Sequence, residues 1–235
     1  MTRVDLHVHT CCSPDCNTSL ELVASSCERA GIDCIAVTDH NTIAGALELQ
    51  AAGRVRVIVG EEIGTASGEL LGLFLREPVP AGLSPLETIR RVKEQGGLVC
   101  IPHPFSRWPF PSRQPMGAGN GDGFLPSEAL RKRNALLTRE VLTQVDMVEV
   151  MNARTPFADN WVACQLLASM CGLIPTAGSD AHTAREIGRA TIEMPDFSDA
   201  ESFLAAMRHA QLSGVRSSMF VHFASMYAKL RRKSC

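Results

Sequence analysis

The sequence predicts an α/β protein whose mainly parallel strands form a closed or nearly closed barrel. The chain has 235 residues, enough for one sizeable core, so a single domain over residues 1–235 is expected. Seven short β-rich runs recur along it, and segments with helical periodicity separate most of them. This alternation is typical of βα units in a parallel sheet. A doubly wound open sheet is the alternative.

The elements follow one another in chain order with few spare residues between them. The predicted strands cover residues 4–9, 32–38, 55–60, 70–75, 97–102, 146–151 and 173–179. Before the first helix, Thr18 and Glu21 predict a capping box, and Gly31 predicts the end of that helix. A later helix has Ser84 at its cap and Pro85 at its first position, with two glycines after its end.

Two stretches do not follow this alternation of predicted strands and helices. Residues 105–127 contain clusters of Pro and Gly and two arginines, which predict a long loop, and such loops are usually functional or mobile. Residues 217–233 have apolar positions at near-helical spacing and a basic end, which predicts a closing helix packed on the barrel. The alternative for this end is a basic tail for RNA or a membrane surface.

Composition restricts the classes of partner. The formal net charge of −2 gives no general attraction to nucleic acid or anionic membranes. No segment reaches the roughly 18 apolar residues of a membrane span, and the first residues lack a signal peptide, so a cytoplasmic location is expected. The nine cysteines are odd in number and scattered, which fits a reducing compartment in which most are small buried residues.

Histidines and acidic residues follow the predicted strands. In parallel barrels and open sheets, sites lie at the carboxyl ends of the strands. The residues at these positions are His7, His9, Asp39, His40, Glu61, Glu62, Glu69, His103, Asn152, Asp180 and His182. The two-residue spacing of His7 and His9 places both imidazoles on one face of a strand. Imidazoles and carboxylates together are the ligands preferred by Zn²⁺, Mn²⁺ and Fe²⁺.

Five ordered motifs carry a resemblance to a known family. DLHVHT, TDHNT, GEEI, IPHP and GSDAH, in this order and spacing, resemble the successive motifs of the PHP (polymerase and histidinol phosphatase) domain, a family of metal-dependent phosphoesterases. The resemblance extends from about Val4 to about Gly188 and is closest to small stand-alone members. It implies a distorted (β/α)7 barrel, in agreement with the strand count, and a site for two to three divalent ions, Mn, Fe or Zn.

The resemblance implies a role for each ligand of the first two ions. His7 and His9 would bind the first ion, and Asp180 would complete its site. Glu62 would bridge this ion to the second, and His103 would bind the second.

The third ion would be held by Asp15, His40 and His182. One position departs from the family pattern, because Glu69 stands where many relatives have a histidine that completes the second ion site. A carboxylate there favours Mn²⁺ or Fe²⁺ over Zn²⁺, or weakens binding of that ion. The alternative is that Glu69 faces solvent and water takes the place of the ligand.

Supporting residues are also expected around the ions. Asp5 and Asp39 are predicted to contact the ligand imidazoles, and not the ions, and so to orient the rings. Arg107, Arg154 and Arg185 are candidates to bind the substrate phosphate.

The family chemistry implies a bridging hydroxide that displaces the ester oxygen in line. The residues expected to carry catalysis are Asp180, His182 and His40, and either histidine could protonate the leaving alcohol through a bound water.

Three functions remain open. The first is a phosphatase or phosphodiesterase for a small phosphorylated metabolite, with a nucleotide as the leading candidate. The second is a 5′-3′ exonuclease on short RNA or DNA, with the 105–127 loop or the basic run at 131–133 guiding the strand; the net charge weighs against a long polyanion. The third is a non-catalytic metal-binding module. Hydrolysis of carbon–nitrogen bonds is a more distant alternative.

Overall fold

The structure, a computed structural model, describes residues 1–105 and 134–218, together with residues 221, 225, 226 and 228. Most of the predicted loop at 105–127, the basic run at 131–133, Arg107 and most of the predicted helix at 217–233 lie outside the described residues. The side chains of residues 158 and 159 are also outside this description.

Within the described residues, nine strands form one mixed sheet. They are β1 (Thr2–Val8), β2 (Cys34–Val37), β3 (Arg56–Thr65), β4 (Gly68–Leu73), β5 (Leu98–Ile101), β6 (Met147–Asn152), β7 (Ile174–Gly178), β8 (Ala190–Met194) and β9 (Gln211–Gly214). All seven predicted runs form strands, whereas β8 and β9 were not predicted. The strand order is β7-β6-β5-β4-β3-β2-β1-β8-β9.

The sheet curves into a nearly closed barrel. The edge strand β7 comes back to the end of β1, where Val8 forms a parallel bridge with Ala181, just after β7. The His9 amide donates to the Ala181 carbonyl at 2.9 Å, and the Ala181 amide donates to the His7 carbonyl at 3.3 Å. Pairing is parallel from β1 to β3 and from β5 to β7, but β4 runs antiparallel to both neighbours. The predicted fold class is confirmed.

Helices cover the outside of the sheet. The described helices are α1 (Leu20–Ala30), α2 (Ala44–Ala52), α3 (Pro85–Glu94), α4 (Arg139–Leu142), α5 (Ala158–Cys171) and α6 (Ala200–Met207). The cap of α1 is Ser19 and not Thr18, because Ser19 accepts from the amide of Leu22 while the Thr18 hydroxyl donates to the carbonyl of His182. Gly31 ends α1 with φ 63°, as predicted. Ser84 caps α3, also as predicted.

Strands inside the sheet, such as β2 and β5, are buried on both faces, as expected for a barrel covered by helices. In β2, Ile35 and Val37 pack in an apolar cluster with Leu49 of α2. Cys34 and Ala36 alternate with them and pack in a second cluster. None of the described helices is both long and apolar enough to cross a membrane.

Cysteines mostly act as small buried residues, as predicted. The thiols of Cys27, Cys34, Cys100 and Cys164 are free and buried, and burial raises the pKa of Cys27 to about 12. Cys11 differs from these because it is disulfide-bonded.

Candidate metal centre

Two imidazoles and two carboxylates converge at the carboxyl end of the barrel. The Nε2 atoms of His7 and His9 lie 3.2 Å apart, and both side chains are fully buried. Glu62 Oε2 is 3.4 Å from Nε2 of His7 and 3.2 Å from Nε2 of His9. Asp180 Oδ1 is 3.7 and 3.4 Å from the same two nitrogens. These are the residues predicted to surround the first ion.

The other oxygen of Glu62 faces the predicted second ion site. Glu62 Oε1 lies 3.2 Å from Nε2 of His103. Glu61 points to the opposite face of β3, where its Oε2 accepts from the amide of Val79 at 2.8 Å. Strand alternation therefore selects Glu62 as the carboxylate that faces both groups.

Asp15, His40 and His182 form the third group. Asp15 Oδ2 is 3.2 Å from Nε2 of each histidine. His182 Nδ1 lies 2.9 Å from the carbonyl oxygen of Asp180, so Nδ1 carries the proton and Nε2 is free to bind a cation. Burial, together with the nearby charge of His9, lowers the pKa of His182 to about 4.

Glu69 faces the cavity, beside His40. Its Oε1 lies 3.9 Å from Nδ1 of His40, and the side chain is 41 % exposed. A ligand atom of Glu69 lies within 4.8 Å of ligand atoms of His40 and Glu62. In the structure, Glu69 lies beside His40 and Glu62, whereas the resemblance implied that it stands in the second ion site with His103.

The residues present fit divalent cations. They form four groups whose ligand atoms lie within 4.8 Å of one another. The buried Nε2 atoms of His7 and His9 face each other at 3.2 Å, an arrangement that needs a shared proton or a cation. The surrounding carboxylates would also be costly to bury without positive charge. Imidazole and carboxylate donors suit Zn²⁺, Mn²⁺ and Fe²⁺.

The charged groups of the centre shift one another's pKa values. Burial alone would raise the pKa of Glu62, but the charge of His7 and a hydrogen bond from His103 hold that pKa well below its usual range. Burial would lower the pKa of His9, yet its hydrogen bonds to Asp180 and Glu62 raise it to about 9. Without metal, the carboxylates therefore keep an additional proton on His9 and likewise on His103, whose pKa is also raised to about 9 by its hydrogen bond to Glu62, whereas His182 stays neutral. Metal binding must release these protons.

Glu149, on β6, was missed by the sequence reasoning. Its Oε1 lies 3.1 Å from Nδ1 of His7, and its Oε2 accepts from the amide of His103 and from Nδ2 of Asn152, both at 2.9 Å. This buried carboxylate therefore orients one ligand and fixes the backbone of another. An acid inside an otherwise apolar predicted strand was the available signal.

Asp5 and Asp39 do not orient imidazoles as predicted. Asp5 accepts from the backbone amides of Ser179 and Gly188 at 2.8 and 2.9 Å. Asp39 accepts from the amide and the hydroxyl of Thr10, both at 2.6 Å. Asp5 lies two residues before His7 on β1, too deep in the barrel to reach a ring nitrogen. The side chain of Asp39, shortly after β2, points toward Thr10. Both carboxylates hold the loops that carry ligands.

Backbone conformation at the site is unusual. Asn41, His103 and Asp180 have φ values of 56°, 26° and 53°, a region that favours glycine. Asn41 is fixed by its Oδ1, which accepts from the amide of Gly64 at 2.8 Å. Strained residues of this kind persist where the surrounding structure holds them, and they cluster at functional sites.

Of the three predicted phosphate-binding arginines, the structure brings Arg154 to the site. Members of each ligand group line a cavity of about 480 Å³, and Arg154 lines it too. Its Nε is 3.7 Å from Glu186 Oε1, and its Nη2 donates to Ser225 Oγ at 2.8 Å. Arg185 is exposed and does not line this cavity, because the turn that buries Glu186 points Arg185 outward. Arg107 lies outside the described residues.

A nearly closed α/β barrel with clustered imidazoles and carboxylates at its carboxyl end defines a class of metal-binding barrel proteins. The model of the PHP domain matches residues 5–124, and that of a PHP-associated region matches residues 158–212. The chain belongs to the PHP domain family, as the motifs predicted. Membership in this family supports a metal-dependent hydrolase of phosphate esters.

Two similar proteins come from Methanocaldococcus jannaschii. The uncharacterized protein MJ0417 is 34% identical over 213 residues, which cover 88% of this chain and 79% of the relative. The uncharacterized protein MJ1587 is 44% identical over 117 residues, which cover 44% of this chain and 68% of the relative.

Solved structures share the fold. PsfC from Pseudomonas syringae PB-5123 has a TM-score of 0.66 and 17% identity, with 98% of this chain and 99% of that chain covered. The lesion-specific endonuclease PfuEndoQ from Pyrococcus furiosus has a TM-score of 0.59 and 13% identity, with 90% and 57% covered. An amidohydrolase from Chromobacterium violaceum with bound sulfate has a TM-score of 0.58 and 17% identity, with 82% and 92% covered.

Proposed function

We propose that the chain hydrolyses a phosphate ester of a small metabolite, with a nucleotide as the leading candidate substrate. The observation that carries this proposal is the composition of one cavity, which is lined both by predicted metal ligands and by Arg154. Cations and a guanidinium in one cavity would provide positive charge around a phosphate group.

The ligand groups supply three cation positions. His7, His9 and Asp180 would hold the first ion, with Glu62 shared between it and the second. His103 would hold the second ion together with Glu62.

The third position would use Asp15, His40 and His182. Bound divalent ions supply a water of lowered pKa and neutralise charge on the phosphoryl oxygens.

The leaving oxygen needs a proton, and His40 is the better of the two predicted donors. The side chain of His40 is 20% exposed and that of His182 is 8% exposed, so His40 is more accessible from the cavity. With a cation on Nε2, the Nδ1 N–H of His40 would position a bound water, and that water would protonate the leaving oxygen.

Arg154 would bind the non-reacting phosphoryl oxygens. Its side chain is buried at 5% exposure and lines the same cavity as Asp180. Glu186 and Ser225 hold the guanidinium from two directions, which limits the entropy lost when it binds a phosphate.

The second candidate is cleavage of nucleic acid. The shared fold with PfuEndoQ, named as a lesion-specific endonuclease, favours it. The net charge of −2 argues against binding a long polyanion, since such binding needs several basic contacts. A non-catalytic metal-binding module is the third possibility, and the nearly full set of ligands argues against it.

Turnover of a mixed substrate panel tests the proposal. The panel contains nucleoside monophosphates, 3′,5′-bisphosphate nucleotides, phosphorylated amino alcohols and short 5′-phosphorylated oligonucleotides, each with Mn²⁺ and with Zn²⁺. Asp180→Asn should abolish release from a small nucleotide, and Asp33→Asn, at an exposed carboxylate, should leave it unchanged. Activity confined to oligonucleotides, with steep salt dependence, would favour the nuclease. Fewer than two bound ions and no turnover would favour the non-catalytic module.

A further inference from the structure

We propose that Pro156 and Met226 form a subsite for the leaving group, which favours phosphate esters of alcohols that carry an aromatic ring. This inference rests on the proposed function, because it assigns the organic part of the same substrate.

The first observation is the uneven polarity of the cavity. Its wall at the barrel end consists of carboxylates and imidazoles, which suit cations and phosphate. Among the described residues that line it, Pro156 and Met226 are the apolar ones. Arg154 lines the cavity with them, so an apolar surface lies next to the predicted phosphate-binding cation.

The second observation is that this wall is tied to the metal centre. The amide of Arg154 donates to Asn152 Oδ1 at 2.9 Å, and Asn152 Nδ2 in turn donates to Asp180 Oδ2 at 3.3 Å. Pro156 is held from outside by Arg216, whose Nη1 donates to the Pro156 carbonyl at 2.7 Å. The loop therefore has a defined position relative to the predicted ligands.

The third observation concerns the segment that carries Met226. Arg154 Nη2 donates to Ser225 Oγ at 2.8 Å and to the carbonyl of Val221 at 3.4 Å, so two described positions of this segment are anchored beside the cavity. Ala228 is buried at 3% exposure, whereas Met226 is 58% exposed. Of these two described residues, Ala228 is therefore packed and Met226 presents its thioether at the cavity.

These features select a chemical class of leaving group. A thioether packs well against an aromatic ring, and an apolar pocket discriminates between ligands by the apolar area they bury. An aromatic leaving group would cover Met226 while its phosphate reaches Arg154 and the ions. A nucleoside has this form, whereas a short alkyl alcohol gains little from the same surface.

Paired ligands with and without a ring test the subsite. Phenyl phosphate and ethyl phosphate serve as substrates for the metal-loaded protein. Phenylphosphonate and ethylphosphonate, which lack the scissile P–O–C bond, serve as ligands in calorimetry. Met226→Ala should lower kcat/KM for phenyl phosphate and the affinity for phenylphosphonate on the order of tenfold. Both ethyl compounds should change less than twofold.

Two control variants separate packing from folding. Met226→Leu keeps the apolar volume and should retain the preference for the ring, and Leu47→Ala removes an exposed apolar side chain from α2 and should change nothing. Equal losses for phenyl and ethyl compounds, or no loss for either, would overturn the subsite. Ring-dependent phosphonate binding without turnover of either ester would leave the subsite in place and overturn the proposed function.

Discussion

Replacing Glu149 with Gln tests whether His7 depends on a buried carboxylate to act as a metal ligand. Glu149 is 2% exposed, and its Oε1 lies 3.1 Å from Nδ1 of His7. An ionised carboxylate can only accept hydrogen bonds, so it keeps the ring proton of His7 on Nδ1. The lone pair of Nε2 is then directed toward Glu62 and Asp180, where the first ion is proposed to bind.

Glutamine cannot satisfy the same contacts. Glu149 Oε2 accepts from the amide of His103 and from Asn152 Nδ2, so the single amide oxygen of Gln is required at that position. The NH₂ group then faces His7 Nδ1, which must become an acceptor, and the ring proton moves to Nε2. Loss of such an outer partner typically lowers metal affinity about 10- to 100-fold, or about 1.4 to 2.7 kcal/mol.

Competition between the protein and a chromophoric chelator for Zn²⁺ measures this affinity. Glu193→Gln makes the same change at an exposed position of β8 and should bind as the wild type does. Thermal unfolding of the chelated proteins checks that both variants fold. Wild-type affinity in a folded Glu149→Gln variant would refute the tautomer argument.

Three further changes have expected outcomes. Glu69→His should raise affinity for Zn²⁺ relative to Mn²⁺ in competition titrations, because imidazole is the softer donor. Gly178→Ala should lower metal affinity, because its Cβ would lie 2.4 Å from Cβ of His7 and 2.6 Å from Oε1 of Glu149. Glu61→Gln should stabilise the protein above pH 7, since burial raises the pKa of Glu61 to about 7 from 4.5. Urea unfolding at several pH values measures this last effect.

The sign of the Glu61 effect follows from proton linkage. The folded state binds the proton more tightly than the unfolded state, so wild-type stability falls as pH rises from about 4.5 to 7. At 1.36 kcal/mol per pKa unit, the gain of Glu61→Gln over the wild type should grow by about 2 kcal/mol between pH 5 and pH 8. A stability gain of Glu61→Gln that is constant with pH would contradict this prediction. An unchanged Zn²⁺ to Mn²⁺ ratio in Glu69→His, or unchanged metal affinity in Gly178→Ala, would contradict the other two predictions.

Strands β1 to β7 could be predicted because each contains a continuous β-rich run. β9 could not, since Gln211–Gly214 is short, polar and alternates between exposed and half-buried positions. The ligand candidates could be predicted because few side chains bind metals and they follow strands in a known order. Glu149 was missed because its partners come from other strands, and only the folded sheet brings His7 and His103 to it.

The antiparallel β3–β4 hairpin explains the position of Glu69. From the sequence alone, Glu69 could be either a metal ligand or a solvent-facing residue. In its register Glu62 is opposite Leu71, and Gly64 is opposite Glu69. Residues opposite each other share a face of the sheet, as do residues two apart, so Glu62 and Glu69 point to the same face. Gly64 has no side chain to fill the space between them. The antiparallel strand β4 therefore directs an additional carboxylate to the cation cluster, where Glu69→His would change the donor set without altering the strand pairing.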